Sequence, residues 1–135
     1  MANELFRTFK ERALDSSGAN YSSADVRGVL IDAADDTVTD GVDDFLDDLA
    51  AGARIATSGA LGTLSVTDGA YDSAAVTLSS VSGDQAEEWM LYQHTGVEST
   101  SLIIVNYDTF ASGMPVTPNG GDIIITPNAS GWFAF

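Results

Sequence analysis

Residues 86–135 constrain the fold most strongly, because short runs of strand-forming residues alternate there with turn-forming residues. The strand-like runs are rich in Ile, Val, Tyr and Trp, which suit a pleated and half-buried surface. They cover residues 89–94, 101–107 and 122–126, with a short fourth run at 132–135. Gly, Pro and Asn lie between them and favour turns. Because a parallel pair of strands needs a connection of about a dozen residues or more, these shorter connections predict an antiparallel β-meander.

The preceding half of the chain predicts further strands at 25–34 and 54–57, and a hairpin formed by residues 61–66 and 74–81. The turn of that hairpin contains Asp68-Gly69, a strong signal for a tight antiparallel turn. We therefore expect a mainly β fold, an antiparallel β-sandwich or flattened barrel of about seven or eight strands, in a single domain. Its core strands are predicted at residues 26–31, 61–66, 76–81, 89–92, 102–107 and 123–125.

Two segments have the apolar spacing of helices. Residues 2–14 predict an N-terminal helix with Asn3 as a suitable N-cap, and residues 43–49 predict a short second helix. The apolar stripe of the first helix consists of Leu5, Phe6, Phe9 and Ala13. Two interpretations of residues 1–15 stay open: a helix that packs on the β-rich body at 25–135, or an arm that docks on a neighbouring subunit.

Acidic residues dominate the charge of the chain. It has 20 Asp and Glu against five Lys and Arg, which gives a formal net charge of −15 at pH 7, and its last basic residue is Arg54. Such a surface repels phosphate backbones, so we expect no direct binding of nucleic acid. The charge serves solubility alone, or it steers the protein toward a basic partner.

Several classes of protein are excluded by what the sequence lacks. It contains no Cys, which rules out disulfides, thiolate metal sites and cysteine catalysis. No segment approaches the roughly 20 apolar residues of a membrane span. The N-terminal residues lack the unbroken apolar run of a signal peptide. We therefore expect a protein that is made in the cytoplasm and does not associate with a membrane.

The sequence offers little for catalysis. His94 is the one histidine, so a pair of histidine ligands cannot form, and any Ser-His-Asp arrangement would depend on this residue. No phosphate-binding, metalloprotease or nucleophile-elbow motif is present. We predict no catalytic residue, no cofactor and no specific metal site. A small hydrolase with paired carboxylates is the enzymatic alternative.

One acidic stretch resembles the start of a calcium-binding EF-hand loop. It begins at Asp36 and reaches Gly41, but Val38 holds the third position and Asp47 the twelfth, where an oxygen ligand and a bidentate Glu are expected. This departure predicts loose cation binding at most. The weak cation candidates are Asp35, Asp36, Asp40, Asp43 and Asp44.

Stretches along nearly the whole chain resemble, in the same order, small virion structural proteins of tailed bacteriophages. The most specific are AGARIATSGAL at residues 51–61 and GMPVTPNGGDI at residues 113–123. MANELFRTFKERAL at residues 1–14 is similar as well. The ending PNASGWFAF departs from the resemblance, since it is more aromatic than the charged ending usual in such proteins.

The resemblance implies a non-enzymatic protein of the virion. The interpretation we favour is a capsid decoration (cement) protein on the capsid surface, which binds the outside of the major capsid protein lattice beside copies of itself, as a monomer or a homotrimer, and stabilises the head. The alternative is a tail- or fibre-associated module that recognises a host-surface carbohydrate. Groups near the chain ends are the predicted partner contacts: Leu5, Phe6, Phe9, Lys10, Trp132, Phe133 and Phe135.

Overall fold

A computed structural model of the protein describes residues 4–15, 21, 23–108 and 114–134. Strands predominate in this part of the chain, and all of their pairings are antiparallel. The strands are β1 (Glu4–Leu5), β2 (Val26–Ile31), β3 (Arg54–Thr57), β4 (Ser65–Thr67), β5 (Ala70–Asp72), β6 (Val76–Leu78), β7 (Glu88–Gln93), β8 (Ile103–Tyr107), β9 (Ile123–Ile125) and β10 (Phe133–Ala134). The helical elements are α1 (Arg7–Leu14) and three 3₁₀ turns at Leu46–Asp48, Ala51–Ala53 and Glu98–Thr100.

The largest sheet has five strands in the order β1-β8-β7-β2-β3. β2 and β7 lie at or next to its centre, and nearly all of their residues are buried. This burial agrees with their continuous apolar sequences, which are typical of strands covered on both faces. Gly28 allows the indole of Trp89 to lie directly over β2, since a Cβ at residue 28 would be 2.0 Å from that ring.

A three-stranded sheet, in the order β10-β5-β4, covers one face of the large sheet. The contact is aromatic, because the ring of Trp132 lies 6.1 Å from that of Trp89 and 6.4 Å from that of Tyr107. Trp132 Nε1 also donates a hydrogen bond to Ser73 Oγ at 2.8 Å. A third sheet pairs β6 with β9. The result is a β-sandwich-like fold with its core between the sheets.

The N-terminal segment packs on the body of its own chain. β1 pairs with β8, and Phe6 N donates to Ile104 O at 2.9 Å. The ring of Phe9 on α1 packs edge-on against Tyr21 at 4.9 Å and against Phe133 at 5.5 Å. The predicted helix at 2–14 is therefore shorter than expected, since backbone pairing with β8 holds the residues before α1 extended. The predicted cap at residue 3 lies outside the described residues.

The predicted fold class is confirmed, as are several of its elements. The structure is mainly β and antiparallel with one α-helix. The strands predicted at 26–31, 54–57 and 123–125 are present with those bounds. The turn at Asp68-Gly69 is present too, and both residues have the positive φ (52° and 81°) that tight hairpin turns require. The part of the chain described contains ten strands, more than the seven or eight predicted.

The predicted β-meander is wrong beyond its first hairpin. β7 pairs with β8, but β9 pairs with β6 and β10 pairs with β5. The return strand of the β4 hairpin is β5 rather than the predicted run at 74–81, whose first part forms β6. The error arose because alternation of residue types marks a strand without specifying its partner, and here the later strands join two small separate sheets.

Candidate functional site

Three of the residues predicted to contact a partner are core residues of the chain itself. Phe6, Phe9 and Trp132 are 1%, 2% and 3% exposed, respectively. Burial of a large apolar side chain is favourable by about 1.5–3 kcal/mol. The pairing of β1 with β8 and of β10 with β5 holds both chain ends against the body of the protein. In the folded chain these three side chains are therefore part of its own core, and a role for them in partner binding stays a prediction.

The other predicted contact residues are Leu5, Lys10, Phe133 and Phe135. Leu5, Lys10 and Phe133 are partly buried, and the ring of Phe133 stacks on that of Tyr71 at 5.1 Å. Phe135 lies outside the described residues. A role for these four residues in partner binding stays a prediction.

Residues 32–48, which we call the acidic segment, contain aspartates whose carboxylates bind the backbone of the same region. Five backbone N–H groups donate to these carboxylates at 2.7 to 2.9 Å. Ala34 donates to Asp32, Thr39 to Asp43 and Ala50 to Asp36, while Asp44 and Phe45 both donate to Asp48. Hydrogen bonds to a charged acceptor are stronger than neutral ones. These carboxylates therefore fold a segment that has few regular backbone pairings.

The short helix predicted at 43–49 is present only as a 3₁₀ turn. The segment forms only the 3₁₀ turn Leu46–Asp48, and Phe45 before it is extended, with φ −127° and ψ 162°. Asp48 accepts from the N–H groups of residues 44 and 45 and so caps this short turn, and Leu49 after it is again extended, with φ −90° and ψ 136°.

Two further aspartates of the acidic segment hold α1. Arg7 N donates to Asp40 Oδ1 at 2.9 Å, and its guanidinium Nε lies 3.8 Å from the same oxygen. Thr8 Oγ1 donates to Asp44 Oδ1 at 2.7 Å. Gly41 leaves room for this contact, since a Cβ there would lie 1.4 Å from the Arg7 guanidinium. Negatively charged carboxylates beside the first turn of a helix also interact favourably with the positive end of its dipole.

Of the weak cation candidates, Asp36, Asp40, Asp43 and Asp44 thus accept hydrogen bonds from the chain itself. Asp43 is buried, and this burial raises the pKa of its carboxyl group above the usual value. These carboxylates therefore hold the acidic segment and α1 in place, and loose cation binding by them stays a prediction.

Asp35 belongs to a different cluster, with Asp32 and Asp84. One carboxylate oxygen of each lies within 4.8 Å of the others. Asp32 is buried, whereas its two neighbours are exposed. Oxygen ligands of this kind suit Ca²⁺ or Mg²⁺. No spacing in the sequence indicates this cluster, because Asp84 lies in the connection between β6 and β7.

A cleft of about 280 Å³ lies beside β7 and the 3₁₀ turn Glu98–Thr100. Two of the five basic residues line it, and each is held by a carboxylate. Arg27 Nε and Nη2 donate to Asp25 at 2.9 Å each, and Arg54 Nη1 donates to Glu98 Oε1 at 2.9 Å. Motif spacing missed this site, because its residues come from four separate stretches. The scarcity of basic residues was the one usable signal.

The ion pairs and the burial of the cleft shift several pKa values. The hydrogen bond from Arg27 lowers the pKa of Asp25, and that from Arg54 lowers the pKa of Glu98. Burial raises the pKa of Tyr92. Both carboxylates are therefore charged at neutral pH, and the phenol keeps its proton.

His94 lines the same cleft, which gives the only histidine a defined setting. Its ring lies edge-on to that of Tyr92, with centroids 6.2 Å apart, and its backbone N–H donates to Asp25 O at 2.7 Å. The ring therefore lines the cleft beside Tyr92. That the protein is not an enzyme stays a prediction.

Two strand edges carry exposed apolar side chains. Every residue of β4 is exposed, and Val66 on it is 55% exposed. Ile124 on β9 is 59% exposed. β4 ends the three-stranded sheet, and β9 is one of only two strands in its sheet, within the part of the chain that the structure describes. Unpaired edges of this kind can add a strand from a partner.

The comparisons with known proteins leave these sites to be interpreted on their own geometry. No protein-family model matches the chain, and no curated protein is significantly similar to it. Among the described residues, no helix is long and apolar enough to cross a membrane.

Proposed function

We propose that the protein is a non-enzymatic structural protein of a phage virion, a capsid decoration protein that binds the outside of the major capsid protein lattice. The observation that supports this most directly is the open edge of β4, which is exposed along its whole length. A protein that bridges neighbouring subunits needs a rigid body and an accessible surface for pairing, and the sandwich-like body and this edge supply both.

The hydrogen-bond pattern of the β4–β5 hairpin identifies which groups are free to pair. Thr67 and Ala70 flank its two-residue turn, and Val66 lies opposite Tyr71. In such hairpins the pair next to the turn is hydrogen-bonded, and bonded and non-bonded pairs alternate from there. The N–H and C=O of Val66 therefore point away from β5, toward any strand that joins this edge.

Charge supports the approach to the lattice rather than the final contact. A net charge of −15 steers the protein toward a basic surface, but this long-range attraction is screened when the Debye length falls to ~3 Å at 1 M salt. The aspartates of the acidic segment are also occupied in folding it. We expect particles washed in about 1 M salt to keep the protein.

The test is the location and copy number of the protein in purified particles, combined with two variants. Val66→Pro removes the outward N–H and leaves the β4–β5 hydrogen bonds intact, as proline is tolerated on an outward-facing edge position. Val66→Ala keeps that N–H and is the matched control. We expect many copies on heads for the unmodified and Val66→Ala proteins, and loss of Val66→Pro.

Two results contradict the proposal. A few copies that remain with isolated tails would favour the tail- or fibre-associated module instead. Full occupancy of heads by a folded Val66→Pro variant would show that attachment does not use this edge.

A further inference from the structure

We propose that the cleft lined by Arg27, Arg54, Tyr92 and His94 binds a single neutral sugar unit. Its volume of about 280 Å³ lies just below the roughly 300–1,000 Å³ of clefts that hold drug-sized ligands, so it suits one small ligand. This inference is independent of the proposed function, because it does not depend on where in a particle the protein sits.

The charges of the cleft favour a ligand without net charge. Arg27 is neutralised by Asp25 through two hydrogen bonds, and Arg54 by Glu98 through one. An anion gains little from arginines that are already paired, and the net charge of −15 opposes its approach. A cation would compete with the arginines for their carboxylates. A neutral ligand meets neither obstacle.

The hydrogen-bonding groups of the cleft match hydroxyl groups in particular. A hydroxyl both donates and accepts, whereas a guanidinium only donates and a carboxylate only accepts. Arg27 and Arg54 therefore offer donors, and Glu98 an acceptor, to a ring of hydroxyls in one cleft. The ion pairs also hold the guanidinium groups in place, which reduces the entropy lost on binding.

Arg54 provides one donor that the chain itself leaves unused. Its Nε is buried and has no acceptor among the described residues. A buried donor without an acceptor costs about 1–3 kcal/mol. Thr57 in the same wall is exposed and adds a hydroxyl. Because Nε is buried, a ligand oxygen reaches it only after a movement of the guanidinium, and it then gains a hydrogen bond without breaking one within the chain.

The experiment is an NMR titration that follows the Nε–H signals of the arginines, of which the chain has four: Arg7, Arg12, Arg27 and Arg54. The probes are the methyl glycosides of glucose, galactose, mannose and N-acetylglucosamine, with glucuronate as the anionic control. We expect at least one neutral glycoside to shift the signals of Arg27 and Arg54 saturably. The signals of Arg7 and Arg12, which lie on α1, should not move.

Matched variants separate the cleft from the rest of the surface. Arg54→Gln should weaken binding roughly tenfold or more, because a hydrogen bond from a charged group is lost. Arg7→Gln removes the same charge from α1 and should leave the affinity unchanged. Thr57→Val, at an exposed position, gives a second variant in the cleft if Arg54→Gln fails to fold.

Three outcomes overturn the inference. The first is that none of the four glycosides causes a saturable shift up to its solubility limit. The second is that only glucuronate binds, which would identify an anion site. The third is that a glycoside binds equally well to the cleft variants and to Arg7→Gln, which would place it elsewhere.

Discussion

The five-stranded sheet and the acidic segment are held in shape by different interactions. In the sheet, the central strands are buried on both faces and aromatic rings fill the space above them. In the acidic segment, carboxylates bind backbone N–H groups at 2.7 to 2.9 Å. The sheet is therefore stabilised by the packing of buried side chains, and the acidic segment by hydrogen bonds to charged carboxylates. The acidity of this chain is thus partly a folding device, and not only a feature of its surface.

The largest expected effect comes from filling the space under Trp89. Gly28→Ala should reduce the free energy of unfolding by about 3 kcal/mol, because overpacking a buried site displaces its neighbours and the new Cβ would lie 2.0 Å from the indole. Gly59→Ala is the control, since nothing lies within 4 Å of a Cβ there. Urea unfolding measures both. Equal stabilities would show that the indole moves aside freely.

A smaller loss is expected in the acidic segment. Asp48→Ala leaves two backbone N–H groups without their acceptor, which should cost about 1–2 kcal/mol, as for the loss of a helix-capping side chain. Asp47→Ala removes the same charge from an exposed neighbour and should change stability by less than about 0.5 kcal/mol. If both variants unfold at the same urea concentration, the hydrogen bonds of Asp48 contribute nothing net.

Glu88 tests how a carboxylate behaves inside the sheet rather than in the segment. It is 6% exposed, and burial raises the pKa of its carboxyl group, although Asn106 Nδ2 donates to it at 3.0 Å. A raised folded-state pKa stabilises the fold below the unfolded-state pKa, and this contribution is lost as pH rises through the folded-state value. Glu88→Gln should therefore flatten the decline in stability above about pH 4.5.

The control for this pH dependence is Glu11→Gln, which removes one charge from the exposed side of α1. General repulsion within a protein of net charge −15 affects both variants alike. Thermal unfolding between pH 4 and pH 8 is the measurement. If the two variants show the same slope of stability against pH, Glu88 has no special role.

The smallest effect is expected for an exposed ion pair between α1 and the acidic segment. Arg7 contacts Asp40, but its side chain is 61% exposed. Exposed ion pairs contribute about 0–1 kcal/mol and weaken with salt. Arg7→Gln should lower stability by a few tenths of a kcal/mol at most, and this difference should vanish in high salt. A larger loss that salt does not reduce would indicate that packing of the arginine stem is responsible.

Local features of the fold could be predicted from the sequence, but its long-range pairing could not. The runs at 26–31 and 123–125 have the strand-forming composition that marks a strand, and Asp68-Gly69 marks a turn. No local property indicates that β10 joins β5, since strand-forming residue types do not specify the partner of a strand.

The candidate sites were harder still to predict. The cleft brings together Arg27, Arg54 and Glu98, which are far apart in the chain and follow no motif. The aromatic residues near the chain ends were predicted as partner contacts because the ends of a small domain can reach a neighbouring molecule. Phe9 and Trp132 show instead that large apolar groups are drawn into the nearest core.

The chain has one lysine, Lys10, and it lies on α1, whose Phe9 is fixed in the core. Among the side chains, Lys10 alone therefore carries an amine that reacts with common cross-linking reagents and dyes. A side-chain amine cross-link from this protein to a neighbour must start at α1, so only the neighbour's residue is left to be located by fragmentation of the cross-linked peptide. A dye on the Lys10 side chain likewise marks α1 in each copy.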